Sequence, residues 1–82
     1  MLKGIVIDNI VSTRKQDSLV GSKFLEVRII ENGAPTEKYL IAVDSVGAGI
    51  GETVLITEGS PARLALHNQQ SPVDAVIVGI VD

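Results

Sequence analysis

The sequence predicts an all-β domain, a small five-stranded OB-like β-barrel with one short α-helix, formed by residues 1–82 as a single unit. Three observations carry this. Valine and isoleucine, whose branched Cβ atoms suit a pleated sheet better than a helix, supply 21 of the 82 residues. Short apolar segments with strand-like alternation are separated by turn-forming residues. One stretch only, Ser60 to Leu66, opens with helix-start residues and continues with helix formers. A chain of this length holds one domain, and this set of elements fits a partly open barrel. A small sandwich is the alternative.

Leu2 to Val11 reads as a first strand with apolar residues on both faces. Ser12 to Ser18 is polar throughout and reads as an exposed loop. Lys23 to Glu31 alternates Leu25, Val27 and Ile29 with Glu26 and Arg28, as a half-buried strand does. Asn32-Gly33 is a hairpin turn signal, Pro35 is expected to stay out of the ladder, and Glu37 to Asp44 returns. Three glycines between positions 47 and 51 then ask for backbone freedom. Glu52 to Thr57 is the fourth strand. Ser60 is the expected N-cap of the helix, Pro61 its first residue and Asn68 its stop. Asn68 to Pro72 is loop, and Ala75 to Val81 is the last strand.

That last strand sets Ala75, Ile77, Gly79 and Val81 against Val76, Val78 and Ile80, so both of its faces are apolar. One face can line a barrel core, and the other needs a second cover. Either the chain's own helix or a neighbouring subunit can provide it. The composition keeps the second option open. A domain this small, with Phe24 and Tyr39 as its only aromatics and no cysteine, lacks the usual internal staples, and association is a common substitute.

Composition also narrows the function classes. Without cysteine there is no disulfide, thiolate nucleophile or cysteine-ligated zinc, and His67 alone makes no multi-histidine site. No metal and no cofactor is expected. A net charge of -3 lacks the footprint of a nucleic-acid binder, and two aromatics make a poor stacking platform, so no nucleic-acid partner is expected, and an OB-type nucleic-acid-binding module is only the alternative function. The first eight residues carry no basic region leading into a long apolar run, and no run approaches the ~20 residues that span a bilayer, so neither targeting segment nor membrane partner is expected.

The candidate chemical residues read as structural. Gly47, Ala48, Gly49, Ile50 and Gly51 have neither dinucleotide-loop spacing nor the lysine of a Walker loop. They read as a tight structural loop. Asp44 and Glu52 flank it and invite comparison with a carboxylate pair or a hard-cation site, but acids in turns commonly accept loop N–H bonds. His67 would need a nucleophile and an orienting carboxylate. None of Ser12, Ser18, Ser22, Ser45, Ser60 and Ser71 lies in a nucleophile elbow, and a surface histidine at a helix end is the simpler reading. Arg63 sits near a helix start, where the dipole does not favour it, and so suits a partner carboxylate as well as solvent. Arg14 and Lys15 form only a small basic spot.

Together the blocks resemble the pentameric vertex proteins of bacterial microcompartment shells, the EutN/CcmL family. They are Gly4-Ile5-Val6, Ile10-Val11-Ser12-Thr13 followed by Lys15, Leu19 to Leu25, Ala42 to Leu55, Gly59-Ser60-Pro61-Ala62-Arg63, and Pro72-Val73-Asp74 with Ile77 to Asp82. The resemblance covers almost the whole chain. Pro61 departs from the serine usual at that place. The further C-terminal segment of many relatives has no counterpart here, and nothing is carried over from it.

The resemblance implies a structural protein and not an enzyme. It implies a homopentamer that caps shell vertices beside hexameric and pseudohexameric shell proteins, in a cytoplasmic microcompartment. It places Gly47 to Gly51 near the axial pore and makes Arg63, Ile77, Val78, Ile80 and Val81 candidates for the subunit interface. Arg14 and Lys15 become candidates for contact with neighbouring shell proteins.

Overall fold

The computed structural model describes residues 1–68 and 72–82. Five strands, β1 (Leu2–Ile10), β2 (Phe24–Glu31), β3 (Ala34–Asp44), β4 (Thr53–Glu58) and β5 (Ala75–Val81), close into a barrel in the order β1-β2-β3-β5-β4. All neighbours are antiparallel except β3 and β5, which run parallel and meet only at Val43–Val76 and Asp44–Ile77. A helix, α1 (Ser60–Ala65), lies between β4 and β5, and a single 3-10 turn (Asp17–Leu19) interrupts the polar loop after β1. No described helix is long and apolar enough to cross a membrane.

The valine-rich alternation becomes the barrel interior. Val6, Leu25, Val27, Ile29, Val54, Ile56 and Ile77 point inward and are buried, with Ala42 and Ala75 filling the narrower gaps. Gly4 lets β1 and β2 close up. A Cβ there would overlap Val27 Cγ1 and lie 2.8 Å from the Arg28 carbonyl oxygen.

The second cover expected for β5 comes, over Val76 and Val78, from the chain itself. Val43, Ala62, Val73 and Val76 form a second buried cluster, joined by Leu19, Phe24, Ala65, Leu66 and Val78. α1 therefore does for Val76 what a neighbouring subunit was the other candidate to do. The two faces of β5 also differ from strict alternation. The register jumps from Leu55–Gly79 to Ile56–Ile77, so Val78 is the extra residue of a bulge. Beyond it Ile80 turns to the main core beside Ala75 and Ile77.

Four local expectations are corrected. β3 starts at Ala34, and Pro35 lies within the ladder opposite Ile30. Proline is tolerated there because β3 has a strand partner on one side only along that stretch. The polar loop of Ser12 to Ser18 runs into the 3-10 turn. Gly59, not Ser60, caps α1, with φ +67° and its carbonyl accepting the Ala62 N–H at 3.0 Å. His67, not Asn68, takes the left-handed position that ends the helix, with φ +57°. The loop expected over Asn68–Pro72 falls mostly outside the described residues.

Candidate functional site

The glycine loop between β3 and β4 is fastened at almost every residue. Asp44, at the end of β3, has its side chain 2% exposed. Its Oδ1 accepts the N–H groups of Val46 (3.0 Å) and Gly47 (3.1 Å), and its Oδ2 accepts that of Ala48 (2.9 Å). Lys23 lies over the same carboxylate at 3.7 Å and donates to the Ala48 carbonyl at 3.0 Å. Ser45 donates through Oγ to the Ile77 carbonyl at 2.6 Å, tying the loop to β5. At the far end the Glu52 carboxylate accepts the Gly49 N–H at 2.7 Å, and the Gly51 N–H reaches the Val6 carbonyl at 2.8 Å.

These bonds decide what Asp44 and Glu52 do. Each carboxylate accepts backbone N–H donors of the loop, which is the turn role. Among the described residues, no three His, Asp or Glu side chains gather as metal ligands. His67 is exposed at the end of α1.

The five loop residues separate. Ala48 is buried and plugs the barrel's own core. Gly47 and Gly51 adopt φ of +83° and +90°, a region that favours glycine. Ile50 is 66% exposed, and Val46 before the loop is 41% exposed. The outward surface of the loop is therefore apolar.

The remaining candidates scatter around the barrel. Ile77 is fully enclosed in the core, so its side chain has no surface left for another subunit. Val78 and Ile80 are half-buried, and Val81 is exposed. Arg63 reaches across from α1 to the Val73 carbonyl at 3.4 Å and to Ser60 Oγ at 3.2 Å. Lys15 folds back on the Ser12 carbonyl at 2.8 Å, while Arg14 is exposed beside it.

Phe24 packs in the second cluster, and the Arg28 guanidinium lies over the Tyr39 ring, 5.7 Å from its centre, while bonded to Glu37 at 2.8 Å.

One surface escaped the sequence reading. Tyr39 and Ile41 stand exposed on the outer face of β3. Beside Ile41 an open pocket of about 170 Å³ is lined by Phe24, Val43, Val73 and Pro72 among others. The signal was the unbroken apolar run Tyr39-Leu40-Ile41-Ala42-Val43, which leaves β3, like β5, apolar on both faces.

A closed barrel whose β3–β4 loop is tied down by hydrogen bonds, with Val46, Ile50, Tyr39 and Ile41 exposed on its surface, has the features of a small packing module. The chain belongs to the EutN/CcmL family: the model described as "Ethanolamine utilisation protein EutN/carboxysome" matches residues 1–82.

Among relatives, the carboxysome shell vertex protein CcmL of Gloeobacter violaceus is 46% identical, with 96% of this chain and 80% of that one aligned. The microcompartment shell vertex protein GrpN of Rhodospirillum rubrum is also 46% identical, over 100% of this chain and 93% of that one. The solved structures agree in fold. The Gloeobacter violaceus CcmL structure superposes with a TM-score of 0.94 at 44% identity, covering 100% of this chain and 86% of the other. The Rhodospirillum rubrum GrpN structure, described as a pentameric microcompartment shell protein, does so at 0.90 and 43% identity, covering 100% and 94%. These relatives are named for a place in a shell and not for a reaction.

Proposed function

We propose that this chain is a structural vertex protein of a bacterial microcompartment shell, acting as a homopentamer beside hexameric and pseudohexameric shell proteins. The observation that carries the reading is full-length similarity, in sequence and in fold, to shell vertex proteins, one of them described as pentameric. The geometry gives it a physical reason. A flat hexagonal sheet cannot close, and fivefold units supply the missing curvature. A cyclic pentamer repeats one head-to-tail interface five times, and the rotation closes the ring.

In this reading the Gly47–Gly51 loop lies near the fivefold axis, contributing Gly49 and Ile50 outward while Ala48 stays in its own barrel. The subunit interface draws on Arg63, on Val81 and on the parts of Val78 and Ile80 that the chain's own packing leaves exposed. Ile77 supports that strand from inside. Arg14 and Lys15 face the neighbouring shell proteins, where their charge meets other subunits. The role needs no cofactor, metal, membrane or nucleic acid, and its place is the shell of the microcompartment.

Co-expression with hexamer-forming shell proteins tests the role. With this chain present, closed polyhedra are expected in electron micrographs. Without it, open sheets, tubes or unsealed shells are expected. Closed shells of equal number and shape in its absence would refute the vertex role.

A further inference from the structure

The barrel closes between β3 and β5 over a short seam. The two strands meet only at Val43–Val76 and Asp44–Ile77, and the earlier part of β3 has no strand on that side. Antiparallel pairing fixes which backbone groups face the gap. The Asp44 N–H bonds to the Lys23 carbonyl at 2.9 Å, so Asp44, Ala42 and Leu40 turn their N–H and C=O groups toward β2. Val43, Ile41 and Tyr39 turn theirs the other way. Val43 and Ser45 meet β5 there, the Ser45 N–H reaching the Ile77 carbonyl at 3.4 Å. Ile41 and Tyr39 meet no strand. Before Tyr39 the edge is blunted: the Lys38 N–H is taken by Thr36 Oγ1 at 3.1 Å, and Pro35 has no N–H to give. What stays open is a short window of strand edge, Tyr39 to Ile41.

Two further observations say what fits the window. Residues opposite each other on paired strands share a face, so a side chain paired with Ile41 stands on the outer face of the barrel. There lies the pocket of about 170 Å³, walled by Leu19, Phe24, Val43, Val73 and Ala75. A cavity of roughly 150 Å³ holds a benzene-sized group, so this one takes a single aliphatic side chain. The charges suit a cation. Arg28 is held by Glu37 and Lys38 by Glu31. The carboxylates of Asp74, on the pocket wall, and Glu26, opposite Ile41 on β2, have no partner among the described residues.

We propose that Tyr39–Ile41 accepts an extended segment of another protein as an added antiparallel strand. The segment carries an aliphatic residue for the pocket and, two places away on the same face, a basic residue for Asp74 or Glu26. Main-chain hydrogen bonds supply the hold, and the pocket and the acids supply the selection. The Tyr39 ring, with the Arg28 guanidinium 5.7 Å from its centre, gives the segment an aromatic surface to lie on. The inference stands on the single barrel and does not depend on the vertex reading.

The probe is the blocked pentapeptide Lys-Thr-Ile-Thr-Lys, added at low salt to the intact protein, with amide hydrogen exchange read by NMR. The Tyr39 and Ile41 amides should exchange fast without peptide and at least about tenfold more slowly when it saturates. The Leu40 amide, turned toward β2, should be slow throughout. Methylation of the peptide's isoleucine and lysine backbone nitrogens should weaken binding about tenfold or more, because the edge bonds are lost. Asp74→Asn changes an exposed side chain and should weaken binding about two- to fivefold.

Four results overturn the proposal. Tyr39 and Ile41 amides already slow in the protein alone mean that a second copy covers the edge. A methylated peptide that binds as tightly means apolar adhesion without strand addition. Equal binding of Glu-Thr-Ile-Thr-Glu means that the acids select nothing. No binding at millimolar peptide means that the window takes no strand.

Discussion

Lys23 and Asp44 face each other across the base of the glycine loop, Nζ lying 3.7 Å from Oδ2, and both bind Ala48 between them. The two contributions are unequal. Lys23 is about half exposed, and an ion pair open to water is worth little, whereas Asp44 is buried and takes three backbone donors. The loop's shape therefore depends on the carboxylate far more than on the lysine.

Asp44→Ala should lower stability by about 2–3 kcal/mol, since the bonds are to a charged acceptor and the Ala48 donor stays buried. Lys23→Met should change it by less than ~1 kcal/mol. Urea midpoints of the two variants give the comparison. Equal losses would mean that the lysine shares the staple equally.

Gly4→Ala should be among the most damaging small substitutions. The added methyl overlaps Val27 and crowds the Arg28 carbonyl, and the backbone of a central ladder cannot yield cheaply. A loss of about 1–3 kcal/mol, or failure to fold, is expected from overpacking. A thermal midpoint equal to that of the unchanged protein would show that β1 and β2 can spread apart there.

The three loop glycines should respond differently. Gly47→Ala and Gly51→Ala force an L-residue to positive φ, at about 1–2 kcal/mol each, and should lower the melting midpoint at every concentration. Gly49→Ala carries no such backbone strain. It should act on the assembled ring, so its effect should grow with protein concentration as the ring populates. A concentration-independent loss for Gly49→Ala would assign that glycine to the fold of the single chain.

Ile77 and Val81 divide β5 between core and surface. Ile77→Ala should cost about 2–5 kcal/mol as a buried cavity in the barrel. Val81→Asp should leave the barrel folded by circular dichroism and dissociate the ring, because a charge would be buried at the subunit contact. A Val81→Asp ring as stable as the parent would remove that residue from the interface.

Much of this was readable from residue order because local and global signals agree in it. Leu25, Val27 and Ile29 alternate with polar residues, Asn32-Gly33 turns the chain, and the strands follow. The errors came where contacts distant in sequence decide the outcome. The bulge at Val78 depends on how β5 pairs with β4, and it reassigns Ile80 to the core. Pro35 enters the ladder because its other side lacks a strand partner, which no local signal reports.

At the site, the role of Asp44 as a turn acceptor was legible from its place before three glycines. The burial of Ala48 was not, because it depends on the loop folding back into the barrel's end. Exposure of Ile50 was equally hidden, since the loop is tied to Lys23 and, through Ser45, to Ile77, both far from it in sequence.

The central claim is fivefold assembly, and native mass spectrometry of the purified chain over a range of concentrations tests it most directly. The account predicts a dominant species of about 43 kDa, five copies of the 8.6 kDa chain. A persistent monomer, or a ring of any other number, would contradict it.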